Sequence, residues 1–297
     1  MSLSQAICFN LSKRLVLARQ PGDAGENPST FDANVYHEWR VSELQKQFAA
    51  HFNALELAGQ DVLDFGCGSG ALTFLSIEAG ARSVTSIDLN RALIDQAREV
   101  CSSRKLKTQP RFIVATDSRK IDLPDDSINI ILCFDVLEHI LDYRESIAEW
   151  RRVLRADGRI FIWWVPWLNP YGHHIESLVP LPWAHVFFSD RVLIDTCARI
   201  YDLPQFKPRW WDLDGDGNKK PNKWLWLDRL PDLNRLTIAR FEEICGGVGL
   251  KIERREIVGF GGSAAARLTR SLTRLPLLCE FFCSRVIYHL RAGGDGG

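Results

Sequence analysis

Residues 61–70, DVLDFGCGSG, constrain this chain more than any other stretch. Val62, Leu63 and Phe65 read as a short buried strand around Asp64, and Gly66, Gly68 and Gly70 end it in a tight turn. Glycine adopts backbone conformations closed to other residues and lets a ligand approach the main chain closely. The apolar residues that follow read as a helix at 70–79. The first N–H groups of such a helix have no partner within it and are available to a ligand. The same turn can also be a plain strand–helix connection.

The strand–turn–helix unit repeats. Apolar strands are predicted at 61–65, 83–87, 111–115, 128–134 and 159–165, with helices at 70–79, 91–102 and 142–154 between them. Strands alternating with helices predict an α/β fold with a parallel sheet and helices on both faces. Ahead of them, 1–35 reads as an arm ending in the polar loop 20–34, and 36–56 as a helix presenting Trp39, Leu44, Phe48 and Phe52. The alternation breaks over 166–235, which shows little regular spacing; eight of the ten Trp lie between Trp163 and Trp226. It resumes with a helix at 237–248, a strand at 250–258 and a last strand at 281–290. A basic, apolar stretch at 263–275 reads as helical, and the tail 291–297 as disordered.

Two nucleotide chemistries compete at the turn. Gly66, Gly68 and Ala71 satisfy G-x-G-x-x-G/A, and Asp88 stands where a ribose-binding acid belongs in a dinucleotide site. Asp64, two residues before Gly66, argues the other way. A carboxylate there repels a pyrophosphate and suits a ligand bearing an ammonium and a sulfonium. Asp88, at the end of the second strand, can accept both ribose hydroxyls, and Asp117, after the third, an adenine amino group.

With these residues in place, 61–165 resembles the class I S-adenosylmethionine-dependent methyltransferases, especially the group that includes quinone-biosynthesis and small-molecule enzymes. The resemblance rests on D-F-G-C-G-S-G at 64–70, I-D-L-N at 87–90, A-T-D at 115–117, L-P-D-D-S-I-N-I-I at 123–131, D-V-L-E-H-I at 135–140 and V-L-R-A-D-G-R-I-F-I at 153–162. It implies a seven-stranded, mostly parallel Rossmann-like sheet whose last strand is antiparallel, and S-adenosylmethionine as cofactor. By the same resemblance Asp64 lies near the methionine end, Asp88 holds the ribose, Asp117 meets the adenine, and Phe134 and Asp135 stand beside the reactive methyl. The expected cofactor set also includes Gly66, Cys67, Gly68, Leu89, Ser118 and His139. His139 reads as pocket-lining or structural rather than catalytic, because the family repeats it across unrelated substrates. The expected division is an arm and helix at 1–58, a cofactor-binding core at 59–165, an inserted Trp-rich cap at 166–235 and the rest of the core at 236–297.

Methyl transfer asks a protein chiefly to position the acceptor and exclude water. A base is needed only where the acceptor must lose a proton. Candidate bases are His174, Glu176 and His173, and candidate acceptor contacts are Trp164, Trp167, Tyr171, Trp183 and His185. Aromatic walls of this kind suit a small or lipid-like apolar acceptor: a terpenoid, a quinone precursor or an aromatic natural product. The same aromatics can simply pack the cap. No metal is expected, because H-H-x-E at 173–176 lacks the i, i+4 pairing of a helical zinc site. The calcium-loop-like 212–218 has Lys223 where a bidentate Glu is required, so it reads as an acidic surface turn.

The balance of 37 basic and 37 acidic residues disfavours a nucleic-acid partner. The eight scattered Cys, with no C-x-x-C pair, read as reduced thiols of a cytoplasmic protein. Neither a secretory signal nor a membrane-spanning run is evident. Arg267, Arg270 and Arg274, interleaved with Leu268, Leu272 and Leu275, read as a helix covering the sheet edge or as a weak peripheral membrane contact. The rival readings are an NAD(P)-dependent oxidoreductase and a non-catalytic cofactor-binding module.

Overall fold

The computed structural model describes residues 2–18, 32–209, 212–230, 233–260, 267 and 269–293. Its strands are β1 (Asp61–Phe65), β2 (Ser83–Asp88), β3 (Arg111–Val114), β4 (Ile128–Phe134), β5 (Leu154–Trp164), β6 (Leu250–Gly259) and β7 (Cys283–Ala292). They form one seven-stranded sheet in the order β3-β2-β1-β4-β5-β7-β6. The first five run parallel, and β7 is antiparallel to both β5 and β6. This is the sheet of the Rossmann-like methyltransferase fold. The strand order reverses at β1, between β2 and β4, and ligands of open α/β sheets bind in the crevice at such a point.

Side-chain alternation along the second half of β5 shows why the central strands carry continuous apolar runs. Ile160, Ile162 and Trp164 join one core with α5 (Tyr143–Val153) and α8 (Ile238–Gly247). Phe161 and Trp163 join the opposite core with α2 (Ala33–His51) and α3 (Ala71–Glu78). Both faces are covered there, so Ile160–Trp164 are all buried and period-two polarity is lost along that run. Each large side chain so buried contributes about 1.5–3 kcal/mol. α4 (Arg91–Ser103) follows β2 with Asn90 as its N-cap, the side chain accepting from Ala92 and Leu93 N–H.

Two elements differ from the sequence expectation. β5 starts at Leu154 rather than 159, because Leu154 already pairs with Ile128 before an irregular step to Ile130–Arg159. β7 starts two residues later than expected because 279–282 forms the helical turn α9 (Cys279–Phe282).

The segment 166–235 is more regular than its composition suggests. It contains α6 (Ala184–Phe187), α7 (Asp190–Tyr201) and a 3-10 turn at Lys223–Trp226. α1 (Leu3–Ala18), expected as part of an arm, is a helix packed on α7, with Cys8 buried among Leu193, Cys197 and Ile200 in a third core. The polar loop at 20–34 falls largely outside the described residues, as do 261–266, 268 and the last four residues of the tail. A 3-10 turn at Leu272–Arg274 packs against the edge strand β6. No described helix is long and apolar enough to cross a membrane.

Candidate functional site

A cavity of about 800 Å³ opens at the carboxyl ends of β1, β2 and β4. Its floor is the β1–α3 turn. Gly66 has φ +75° there, and a Cβ on it would lie 2.5 Å from both γ carbons of Val136. Gly68, with φ +52°, directs its N–H at Asp88 Oδ2, 2.8 Å away. Asp88 Oδ1 accepts from Asn90 N–H, also at 2.8 Å. Each oxygen of a carboxylate can accept a second hydrogen bond. Asp88 therefore stays able to bind a pair of hydroxyls while fixing the turn.

Asp64 lies beneath this floor and does not line the cavity. It is buried, with Thr73 Oγ1 donating to its Oδ2 at 2.7 Å. Burial, reinforced by the nearby Asp88 charge, pushes its pKa up to about 7.

At the adenine-side wall expected from the sequence, Leu89, Asp117 and Ser118 line the cavity. Asp117 is engaged by Arg119 at 2.6 Å, and this pairing holds its carboxyl below the usual range. Phe134, Asp135 and His139 line the opposite wall, and Cys67 lies in the floor beside Gly66 and Gly68. Asp135 has φ +59° and forms an ion pair with Arg40 of α2. Burial raises its carboxyl, but the Arg40 charge and hydrogen bond outweigh it and keep Asp135 ionised. Glu138 is buried beside Asp135. Burial and the Asp135 charge push its pKa well above the carboxylate range, so it is held neutral.

The motif pattern did not reveal the contribution of α2. Arg40 and Leu44 line the cavity, and the buried His37 places Nδ1 2.7 Å from Ser69 Oγ in the glycine turn. Leu44 was legible as an apolar position of a helix. Arg40 and His37 carried no signal, because their partners Asp135 and Ser69 lie 95 and 32 residues away.

The expected catalytic and acceptor residues fall in different places. His173 is fully buried; its Nδ1 accepts from Ile175 N–H at 3.1 Å and its Nε2 lies 3.3 Å from Leu181 O. Burial lowers its pKa to about 3, so its ring is held neutral while it bonds the cap backbone. Glu176 sits 3.5 Å from Arg209 and does not line the cavity. His174 is the member of the trio brought toward the site. Its ring meets that of His139 edge-on, centroids 5.4 Å apart, and φ +53° directs the chain there. Burial lowers the His174 pKa, with the neighbouring His139 adding to the effect.

None of the five expected acceptor contacts lines the large cavity. Trp164 points to the opposite face of the sheet, fully buried against Phe241 of α8. Its neighbour Trp163 takes the face shared with Phe134, because adjacent strand residues point opposite ways. Trp183 donates Nε1–H to Phe281 O and packs edge-on to Phe282. Tyr171 meets His173 and Phe260, and His185 holds Trp167 O through Nε2–H at 2.7 Å. Trp167 lines a second, smaller cavity. In the acidic turn at 212–218, Asp214 Oδ1 accepts from Asp216 and Asn218 N–H, as an isolated polar turn does.

Residues 63–162 match the family model described as a methyltransferase domain. That stretch is similar to the class I S-adenosylmethionine-dependent methyltransferases. A ubiquinone biosynthesis O-methyltransferase of Methylococcus capsulatus is 33% identical over 122 residues, 41% of this chain and 49% of that protein. The chain thus spans about half the length of the curated relatives it matches. Among solved structures, the candidate methyltransferase in complex with the Haloferax volcanii Trm112 methyltransferase activator superposes with a TM-score of 0.52 at 15% identity, covering 88% of this chain and 97% of its own. The [4+2]-cyclase SpnF gives 0.50 at 14% identity, covering 98% and 97%. At these identities the likeness is one of fold, and SpnF shows that the fold carries more than one chemistry.

Proposed function

We propose that this chain transfers a methyl group from S-adenosylmethionine to a small or lipid-like apolar acceptor. One observation carries the reading over a nicotinamide-dependent one. Gly68 N–H, which a pyrophosphate would need free, is donated to Asp88 Oδ2 at 2.8 Å. The carboxylates of Asp88 and Asp135 flank the cavity, and Asp64 lies under it, surroundings that favour a cation and disfavour a pyrophosphate.

Asp88 would hold the ribose, Leu89, Asp117 and Ser118 the adenine, and Asp135 with Arg40 the zwitterionic amino-acid end. The bound cofactor supplies a methyl group activated by a sulfonium. The protein's part is positioning and exclusion of water, with α2 closing one side through Arg40 and Leu44. Where the acceptor is a hydroxyl, His139, which lines the cavity, and His174, edge-on to it, would serve as the proton-accepting pair. The low pKa of His174 keeps its imidazole neutral and able to accept a proton at neutral pH.

The name of the Methylococcus capsulatus relative supports a hydroxyl of a quinone precursor as acceptor, ahead of a terpenoid or another aromatic natural product. A cytoplasmic location fits the eight free thiols. The test is transfer of isotope-labelled methyl to a panel of catechol and phenol acceptors with and without an isoprenoid chain. Wild type should label at least one of them. His174→Gln should lower turnover about a hundredfold with cofactor affinity unchanged. Unchanged turnover would remove His174 from the mechanism.

A further inference from the structure

Leu141 lines the large cavity on one side and a second cavity of about 240 Å³ on the other. The second cavity is built from the cap. Trp167, Leu230 and Leu233 supply apolar wall, and Arg229, Arg235 and Asp190 supply charge. The Arg235 guanidinium lies over the Trp167 ring, 5.3 Å from its centroid. Asp190 divides its carboxylate: Oδ2 accepts from Leu230 N–H at 3.3 Å, and Oδ1 is 3.4 Å from Arg235. No ion pair is formed between Arg229 and a described carboxylate. Among the described lining residues, two guanidiniums thus face one carboxylate that is already half used, a net positive charge beside an aromatic ring.

This combination recognises one kind of group. A guanidinium fork matches the two oxygens of a carboxylate or phosphate. The cation–π contact with Trp167 limits the freedom Arg235 would lose on binding. The apolar wall suits a hydrocarbon body attached to that anion. We infer that the second cavity is an oxyanion subsite for an apolar ligand bearing a carboxylate or phosphate. Where the chain methylates an apolar acceptor, as proposed above, this subsite anchors the acceptor's anionic end while its reactive end lies across Leu141. Trp167, expected from the sequence to hold the acceptor, then does so at the anchored end.

The test is titration calorimetry of the protein loaded with S-adenosylhomocysteine, using decanoate, decyl phosphate and the neutral methyl decanoate as probes. At least one anionic probe should bind tenfold or more tightly than methyl decanoate. Arg229→Gln and Arg235→Gln should each weaken that probe at least fivefold, leaving methyl decanoate and S-adenosylhomocysteine unaffected. The stronger of the two anionic probes identifies the oxyanion as carboxylate or phosphate. Equal binding of charged and neutral probes, or indifference of the anionic probe to both substitutions, overturns the subsite. If S-adenosylhomocysteine itself does not bind, the methyltransferase reading fails separately, and the same titrations on the unloaded protein still decide the subsite.

Discussion

Replacing Gly66 by alanine tests the floor of the cavity more sharply than any change to a side chain that lines it. The new Cβ would lie 2.5 Å from both Val136 γ carbons, whereas non-bonded carbons settle at about 3.5–4.0 Å. Something must therefore move by about 1 Å, an overpacking that costs about 1–3 kcal/mol. The φ of +75° adds the left-handed penalty of a residue with a Cβ, about 1–2 kcal/mol. The sum is a destabilisation of about 2–5 kcal/mol. Val136 follows Asp135 directly, so its displacement also disturbs the Arg40 ion pair, and cofactor affinity should fall with stability. Val136→Ala removes both clashing carbons. The double variant should recover the steric part, a coupling of about 1–3 kcal/mol, and keep the backbone part. Urea denaturation of wild type, both single variants and the double variant measures this cycle. A Gly66→Ala cost below about 1 kcal/mol, or no coupling with Val136→Ala, would refute the reasoning.

Asp64→Asn should flatten the pH dependence of stability. With a folded pKa of about 7 against an ordinary 3.8, the folded state holds its proton more tightly, so this contribution is full below pH 3.8 and lost as pH rises through 7. Between pH 5 and pH 8 the loss is on the order of 3 kcal/mol, and denaturation curves at those two pH values that shift equally in wild type and variant would contradict it. Asp88→Ala should weaken S-adenosylhomocysteine binding about ten- to a hundredfold, the effect of losing charge-assisted hydrogen bonds worth about 1.5–3 kcal/mol. Unchanged calorimetric affinity would show that Asp88 does not hold the ribose.

The core of the fold was legible because its signals are local. The turn at 66–70 is written in alternate glycines, and β1, β2 and β4 in short apolar runs that a two-sided sheet requires. The residues closing those strands, Asp88, Phe134 and Asp135, reach the cavity for the same reason, since strand ends at the order reversal all face one crevice. Local reading failed where partners are distant. α7 carries a regular buried face of Leu193, Cys197 and Ile200, but α1 covers it from the far end of the sequence, and the surrounding Trp and Pro residues masked its period. The cap aromatics were read as a wall because composition does not say which way a side chain points. One residue of strand parity separates Trp163, on the Phe134 face, from Trp164, in the opposite core. The adjacent histidines His173 and His174 differ in the same way: one bonds the backbone of the cap and the other faces His139.

The most direct test of the account is calorimetry of the purified protein with S-adenosylhomocysteine and, separately, with NAD. The two ligands share an adenosine and differ at the group that must pass the Gly68–Asp88 contact. Micromolar binding of S-adenosylhomocysteine with no measurable heat from NAD is the predicted result. Tight binding of NAD with none of S-adenosylhomocysteine would contradict it.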